Sequence, residues 1–238
     1  MAKAARQARS RTGDGRSRSA KVSMTRSLPR GPHPLTREAV AQSQRRRLVD
    51  AMAQVTKEKG YVGMTVEDVC RIAGVSSRSF YQHYADKEEA FLAMYDQVIA
   101  ALTAHVAEAY RRPGPWRGRV REGLEVLLNL IAAEPALARL CLVDILAAGE
   151  KGRAHWSKFL ASFVPFFDDA ELGGGLPRPS PVVVHALIGG VAQILYERVA
   201  ADRTQEVPDL APDLAYYVLL PFLGPDEAAE ELSKGRSG

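Results

Sequence analysis

The chain has 238 residues, of which 46% are apolar and 25% are charged, a composition typical of a globular protein with one large domain or two small ones. Its two cysteines, Cys70 and Cys141, lie far apart and without the spacing of metal ligands, so we expect reduced thiols in a cytoplasmic protein, with neither a disulfide nor a metal site. The longest apolar run, residues 182–196, is interrupted by His185 and Gln193 and is shorter than the ~20 residues of a spanning helix, so we expect that the chain does not cross a membrane.

The first 36 residues form a strongly basic arm. Residues 1–37 contain ten Lys and Arg against a single acid, Asp14, so this segment has a net charge of +9 while the rest of the chain has −5. The arm is rich in Arg, Ser, Gly and Pro and poor in large apolar residues, which predicts disorder in isolation. Two interpretations stay open. The arm is a solvated tail, or a misplaced start with Met24 as the true one; alternatively, it lies along nucleic acid with arginines on phosphates or in a narrow minor groove.

Helical periodicity begins after the arm. In residues 39–59 apolar side chains recur at steps of three and four residues, which predicts an amphipathic helix with an inner face of Val40, Leu48, Ala51, Met52 and Val55. Gly60 can adopt the left-handed conformation that ends such a helix. Thr65 is the expected N-cap of a second, short helix, with Asp68 placed to support the same helix start.

A tight turn follows this second helix in "AGVS", residues 73–76. Gly74 permits the turn, Val75 fills the junction, and Ser76 is expected to cap a third helix that ends near His83. A short helix, a glycine turn and another short helix make a helix-turn-helix.

The stretch "TVEDVCRIAGVSSRSFYQHYADKEEAF", residues 65–91, resembles the DNA-binding signature of the tetracycline-repressor (TetR) family of transcriptional regulators. The matching elements are the apolar pattern of the second helix, the "AGVS" turn, the aromatic cluster "FYQHY" and the "DKEEAF" that opens a long fourth helix. The resemblance covers residues 35–99, and the remainder fits the family by length and helical pattern alone. It implies a DNA-binding regulator that acts on double-stranded DNA.

In a helix-turn-helix the second helix lies in the major groove, with its first residues against base edges and its flanks on phosphates. Arg78 is therefore the candidate for a bidentate bond to guanine, and Ser77 and Ser79 are candidate contacts to bases or phosphates. The resemblance implies phosphate contacts for four further residues: Thr65, Tyr81, His83 and Lys87.

Each of these assignments has a structural alternative. Tyr84 is a candidate DNA contact that would equally serve as a packing aromatic, His83 fits either role, and Ser76 fits a helix cap as well as a DNA contact. Phe80 is expected to point into the core. The exposed run of residues 45–47, three arginines, either touches the DNA backbone or is a solvated face.

The remainder of the chain predicts an all-α body. Residues 87–110 form a long amphipathic helix that ends at "RRPGPW", and helical segments follow at residues 120–133, 135–149, 154–167, 182–201 and 210–222. The predicted organisation is the arm (residues 1–36), a helix-turn-helix head (residues 37–86), a larger helical body (residues 87–226) and a C-terminal tail (residues 227–238). In the TetR family such a body holds a small-molecule pocket and a dimer interface.

Candidate pocket residues are polar or aromatic groups on otherwise apolar helices. Each could also be an ordinary core or surface residue, and no subset of them identifies a ligand. The candidates are Asp144, His155, Trp156, His185, Gln193, Tyr196 and Glu197, with Phe159, Phe163, Phe166 and Phe167 as walls.

Two late segments, "PVVVHALIGGVAQILYERVA" and "DLAYYVLLPFLG", are apolar on more than one side of a helix. The resemblance implies that they pair with their mates across a two-fold axis, which predicts a homodimer on a near-palindromic site. Gly189 and Gly190 would allow another helix to approach closely. The alternative is a monomer in which both helices are central to the core. The residues expected near the axis are Leu187, Val191, Leu195, Tyr217 and Val218.

Enzymatic function is not expected. The chain has no phosphate-binding glycine loop, no "GxSxG" and no paired histidines at metal spacing, so no catalytic residue and no cofactor are predicted. The predicted function is a repressor released from its operator by a small-molecule effector. The alternative is a constitutive or architectural DNA-binding protein that answers no ligand.

Overall fold

The structure, a computed structural model, describes residues 37–234, and within this range the backbone forms helices and turns without any strand. The all-α prediction is therefore confirmed. The described residues belong to one compact unit, Thr36–Gly238. The arm and the last four residues of the tail lie outside the described part of the chain, and the domain boundaries stay predictions.

Three helices form the head. α1 spans Arg37–Gly63, α2 spans Val66–Ala73 and α3 spans Ser77–Tyr81. α1 is broken at Gly60, whose φ of 68° lies in the left-handed region that glycine tolerates, and this break is the predicted helix end. α3 ends two residues before His83, because Gln82 and His83 form turns.

The helix caps of the head are those predicted from the sequence. The Thr65 hydroxyl accepts the N–H of Asp68 at the start of α2, at 3.2 Å, and the Ser76 hydroxyl accepts the N–H of Ser79 at the start of α3, at 3.1 Å. Gly74 ends α2 with a φ of 63°, as a left-handed C-cap requires.

The body begins with α4, which follows the head after the non-helical residues 82–86. α4 has the bounds predicted for it, whereas the last helix, α11, is not predicted from the sequence. In chain order the elements are α4 (Lys87–Tyr110), α5 (Trp116–Ala133), α6 (Pro135–Arg139), a π-helical segment (Leu140–Asp144), α7 (Ile145–Ala147), α8 (Gly149–Ala161), a 3-10 segment (Val164–Phe167), α9 (Pro181–Ala200), two 3-10 turns (Thr204–Glu206 and Pro208–Leu210), α10 (Ala211–Leu223) and α11 (Pro225–Lys234).

Two predicted body helices differ from the structure. The helix expected over residues 135–149 is interrupted by the π-helical segment, in which Leu140, Cys141, Leu142 and Asp144 are all buried. A π-turn widens the helix locally and so lets nearly consecutive side chains face inward. The helix expected over residues 154–167 starts earlier and ends at Ala161, and a 3-10 turn containing Pro165 follows.

Large aromatic side chains fill the core of both head and body. Phe80 of α3 and Phe91 of α4 are fully buried, which confirms the inward orientation expected for Phe80. In the body, Trp116 packs against Phe222 with 5.0 Å between ring centroids.

By length and composition alone, α4 and α9 are apolar enough to cross a membrane. Because α9, Pro181–Ala200, is longer than the apolar run of residues 182–196, the length of that run does not exclude a transmembrane helix. The absence of a membrane crossing stays a prediction. In the folded chain the inward faces of both helices line an internal cavity, described below.

Candidate functional site

The exposed face of α3 is polar and lies opposite a buried aromatic face. Ser77 and Arg78 are exposed, and the Tyr81 side chain is 58% exposed. Beneath them, Phe80 is fully buried and contacts the rings of both Tyr81 and Tyr84. The packing of Phe80 thereby holds the three polar side chains toward solvent.

The remaining serines of this segment are engaged in the helix cap. The hydroxyls of Ser76 and Ser79 are 3.1 Å apart, and the Ser76 oxygen also accepts the Ser79 N–H. Ser79 is half-buried while Ser76 is exposed. Both hydroxyls therefore stabilise the start of α3 in this structure.

Tyr84 and His83 pack against α1. Tyr84 is only 3% exposed, and the Arg45 guanidinium lies 5.7 Å from the centre of its ring. Nε2 of His83 lies 3.3 Å from the side-chain oxygen of Gln44, which makes the imidazole the donor. These contacts join the turn after α3 to the first helix.

Lys87 binds the end of α1 and the residue that follows it, Met64. Its ammonium donates to the carbonyl oxygens of Tyr61, Val62 and Met64 at 3.2, 3.4 and 3.0 Å, and it also lies 4.8 Å from the centre of the Tyr61 ring. The first residue of α4 thus ties the body to the end of α1.

Thr65 is exposed, and its hydroxyl donates to the Asp68 carboxylate at 2.8 Å. The same carboxylate accepts from the Lys59 ammonium at 2.8 Å. Hydrogen bonds from Lys59 and then Thr65 lower the pKa of Asp68 to about 2, so it stays ionised and links α1 to α2. Arg47 adds a further link, because its guanidinium donates to the Ala73 carbonyl at 3.1 Å.

The body encloses an apolar cavity of about 330 Å³ between α4, α5, the π-helical segment, α8, α9 and α10. It follows α4 from Val98 to Tyr110, a distance of ~18 Å at ~1.5 Å per residue. Cys141 lines it as a neutral thiol, because burial raises the pKa of Cys141 to about 12. Both the volume and the apolar wall are typical of a small-molecule site.

One wall of the cavity is formed by aromatic side chains of the 3-10 segment, Phe166 and Phe167. The hydroxyl of Tyr110 and the indole N–H of Trp116 both donate to the Phe166 carbonyl, at 2.8 and 3.0 Å. The Arg119–Asp169 ion pair, at 2.7 Å, lies beside these bonds. This wall is therefore fixed to the junction of α4 and α5.

The four phenylalanines predicted as walls, Phe159, Phe163, Phe166 and Phe167, line the cavity, whereas the seven other predicted pocket residues do not. Trp156 packs on Phe159 behind the wall. Tyr196 is half-buried, and Asp144 is buried and accepts the backbone N–H of Tyr61 at 3.4 Å. His185 and Gln193 are exposed and have partners on their own helix. The His185 ring forms a hydrogen bond with the Pro181 carbonyl, and the Gln193 side-chain amide donates to the Glu197 carboxylate.

Four of the five residues expected at the dimer axis face the cavity instead of the surface. Leu187, Val191, Leu195 and Val218 are buried within the single chain and line its wall. Tyr217 is 37% exposed, and its hydroxyl lies so close to Gly190 that a Cβ at this glycine would overlap it. Gly190 therefore allows α10 to approach α9 within one chain.

Sequence reasoning did not identify the α4 and α5 side of the cavity. The signal for it was the continuation of the apolar pattern of α4 beyond the head, at Val98, Ala101 and Leu102. It also did not identify the acid and the histidine at the cavity, Glu134 and His105.

The head has the arrangement of a helix-turn-helix: a short helix, a tight glycine turn and a second short helix with an exposed polar face. Residues 48–94 match the family model described as bacterial regulatory proteins, tetR family. This match covers the head from within α1 to the start of α4, and the body outside it is similar to the solved structures below in fold alone.

Solved structures with the same fold include fatty acid regulators from two Bacillus species. The regulator FadR from Bacillus subtilis, in complex with stearoyl-CoA, has a TM-score of 0.62 and 16% identity and covers 75% of this chain and 98% of its own. The fatty acid degradation regulator FadR from Bacillus halodurans has a TM-score of 0.61 and 14% identity, with 74% and 94% covered. A TetR family transcription regulator from Marinobacter aquaeolei VT8 has a TM-score of 0.51 and 17% identity, with 74% and 97% covered.

Proposed function

We propose that this protein is a ligand-responsive repressor, in which an apolar small molecule in the body cavity releases the head from its operator. One observation supports this most strongly: the wall of the cavity and the end of α1 are joined by direct contacts. Cys141 and Leu142 line the cavity, and Asp144, in the same π-helical segment, accepts the Tyr61 N–H in the head.

The exposed face of α3 suits sequence recognition. The Arg78 guanidinium matches the two acceptors of guanine in the major groove, and Ser77 is small enough to let the backbone approach the bases. The Tyr81 hydroxyl suits a phosphate contact that carries no sequence information. Thr65, at the start of α2, would contact phosphate in the same way, whereas Ser76, Ser79, His83, Tyr84 and Lys87 would support the head from within through the contacts described above.

The cavity suits an elongated apolar ligand. Its lining is almost wholly apolar and extends ~18 Å along α4, so a hydrocarbon chain would be desolvated there at little cost in buried polar groups. The Bacillus subtilis neighbour was solved with stearoyl-CoA, a molecule with such a chain. The ligand would act by favouring the conformation of the head that does not bind DNA.

A homodimer would place two heads on a near-palindromic site, with centres ~34–36 Å apart. The outward faces of α9 and α10 suit the interface. Val182 is 77% exposed, Tyr217 is 37% exposed, and an added Cβ at Gly189 would meet no atom within 4 Å. Leu187, Val191, Leu195 and Val218 were expected at the interface but line the cavity. We therefore place the interface on the opposite side of α9. A protein of this kind would act on DNA in the bacterial cytoplasm.

The test is titration of the protein on DNA fragments selected from genomic DNA. We expect specific binding, and release on addition of an organic extract of cells, measured by fluorescence anisotropy. Specific binding that no fraction of the extract reverses would favour a constitutive regulator. Equal affinity for all fragments would favour an architectural protein.

A further inference from the structure

Three consecutive arginines of α1 have three different environments. Arg46 is exposed, and Arg45 is exposed with its guanidinium 5.7 Å from the centre of the Tyr84 ring. Arg47 is half-buried and precedes Leu48, which is fully buried in the core. The sequence allowed either a DNA contact or a solvated face for this run, whereas in the structure the Arg47 side chain is directed toward the helix-turn-helix.

The Arg47 guanidinium caps the end of α2. Its Nη1 donates to the carbonyl oxygen of Ala73, the last residue of α2, at 3.1 Å, and to that of Gly74 at 3.5 Å. The last carbonyls of a helix have no partner within the helix, and the helix dipole also favours a cation there. A Cβ added at Gly74 would lie 3.7 Å from the same nitrogen, so the guanidinium lies directly against the turn. Arg47 thus fastens the turn between α2 and α3 to α1.

The orientation of α3 depends on this turn. Only residues 74–76 separate α2 from α3, and the Val75 N–H donates to the Cys70 carbonyl at 3.1 Å. Arg78 follows as the second residue of α3. A binding group must be held within about 0.5 Å of its productive geometry, and a bidentate bond to a base edge depends on direction more than attraction to a phosphate does. A loosened turn would therefore weaken base reading by Arg78 before it weakens nonspecific binding.

We propose that Arg47 is a positioning residue for sequence recognition: by capping α2 it fixes the turn from which α3 presents Arg78, and it does so without a contact to DNA of its own. The inference rests on the proposed DNA-binding function. It assigns a structural partner and a role to one arginine of the run.

The experiment compares Arg47→Met with Arg46→Met in the full chain. Both variants remove one positive charge from neighbouring positions of α1, and methionine keeps a long side chain that suits a helix. Each protein is titrated by fluorescence anisotropy onto the selected operator and onto an altered duplex in which the guanine read by Arg78 is replaced. The titrations are repeated at several salt concentrations.

We expect Arg47→Met to reduce the preference for the operator over the altered duplex by about fivefold, the factor that one typical hydrogen bond represents. The slope of log affinity against log salt should equal that of the wild type, because loss of a phosphate contact would flatten it by ~0.9. Arg46→Met should leave the preference unchanged. Arg47→Lys should lose only about twofold, because a lysine ammonium can still bond to a carbonyl at a helix end.

Thermal melting checks that each variant is folded. If Arg47→Met does not fold, Arg47→Lys decides, and a preference equal to that of the wild type in this variant contradicts the inference. A folded Arg47→Met variant with a lower melting temperature and an unchanged preference would show a residue that only stabilises the head, and the inference would be wrong.

The remaining outcomes separate the inference from the proposed function. If Arg47→Met flattens the salt slope by ~0.9, Arg47 lies on a phosphate, so the inference is wrong and DNA binding stands. An equal loss of preference in Arg46→Met would also refute it, because the effect would then come from charge alone. A wild-type protein without preference for any DNA sequence would overturn both proposals.

Discussion

The Asp144 carboxylate accepts the backbone N–H of Tyr61 across 83 residues of sequence, with 3.4 Å between oxygen and nitrogen. Tyr61 follows Gly60, where α1 breaks, and a Cβ at Gly60 would stand 3.3 Å from the same carboxylate oxygen. Asp144 also ends the π-helical segment that supplies Cys141 and Leu142 to the cavity wall. This bond is therefore a direct connection between the cavity wall and the head.

Removing that connection should weaken the response to ligand. In Asp144→Leu the Tyr61 N–H loses its acceptor, so we expect DNA binding to become less sensitive to 1-dodecanol, by about fivefold, the factor that ~1 kcal/mol of a typical hydrogen bond represents. Asp144→Asn keeps an acceptor oxygen and is the control. The measurement is the concentration of 1-dodecanol that releases half of the DNA. An identical response in the leucine variant and the wild type would show that the hydrogen bond between Asp144 and Tyr61 does not transmit ligand binding to the head.

The same carboxylate predicts a pH dependence of stability. Burial raises the pKa of Asp144 above its ordinary value of 3.8. A raised pKa means that the folded state binds the proton more tightly than the unfolded state, so this stabilisation is complete below pH 3.8 and is lost as pH rises through the folded-state pKa. We therefore expect Asp144→Asn to be more stable than wild type at about pH 7, and the difference in melting temperature to narrow as pH falls toward about 4. A constant difference over this range would contradict the burial of a titrating carboxylate.

Substitutions of Arg78 and of Tyr81 should affect DNA binding in different ways. Arg78→Ala should lose ~1–3 kcal/mol of preference for the operator over a sequence with the contacted guanine replaced. Tyr81→Phe should weaken binding to both sequences by the same factor, because a phosphate contact carries no base information. Anisotropy titrations on the two duplexes measure the ratio of the affinity for the operator to the affinity for the altered sequence. Base reading by Arg78 is refuted if the ratio equals that of the wild type.

The outward face of α9 should control assembly. Gly189→Glu adds a charged side chain where the single chain has open space, so the folded monomer should tolerate it while a dimer formed through this face should dissociate. Gly118→Glu on α5, whose added Cβ meets only ordinary contacts, is the control. Light scattering at micromolar concentration measures the oligomeric state. A wild-type monomer, or a dimeric Gly189→Glu variant, would contradict the proposed interface.

The basic arm should set the salt dependence of DNA binding. Deletion of residues 1–30 removes nine Lys and Arg residues. If several of them lie on phosphates, the slope of log affinity against log salt should flatten by ~0.9 per lost contact. Affinity measured at several salt concentrations gives the slope. An unchanged slope supports a solvated tail.

The sequence alone determined the head, because the features that build it are local. A cap such as Thr65 or Ser76 bonds to a backbone N–H three residues away, and Gly74 can adopt the left-handed conformation of a C-cap because it has no Cβ. The same reasoning assigned Phe80 to the core and placed α4 correctly.

Only the tertiary structure decided which apolar face of α9 lies against the chain's own interior and which face is left at the surface. Leu187, Val191 and Leu195 share one side of that helix, and periodicity alone could not tell whether this side would face a second copy or the chain's own interior. The answer depends on how α9 packs against α6, the π-helical segment and α8, which precede it in the chain and leave the cavity beside it.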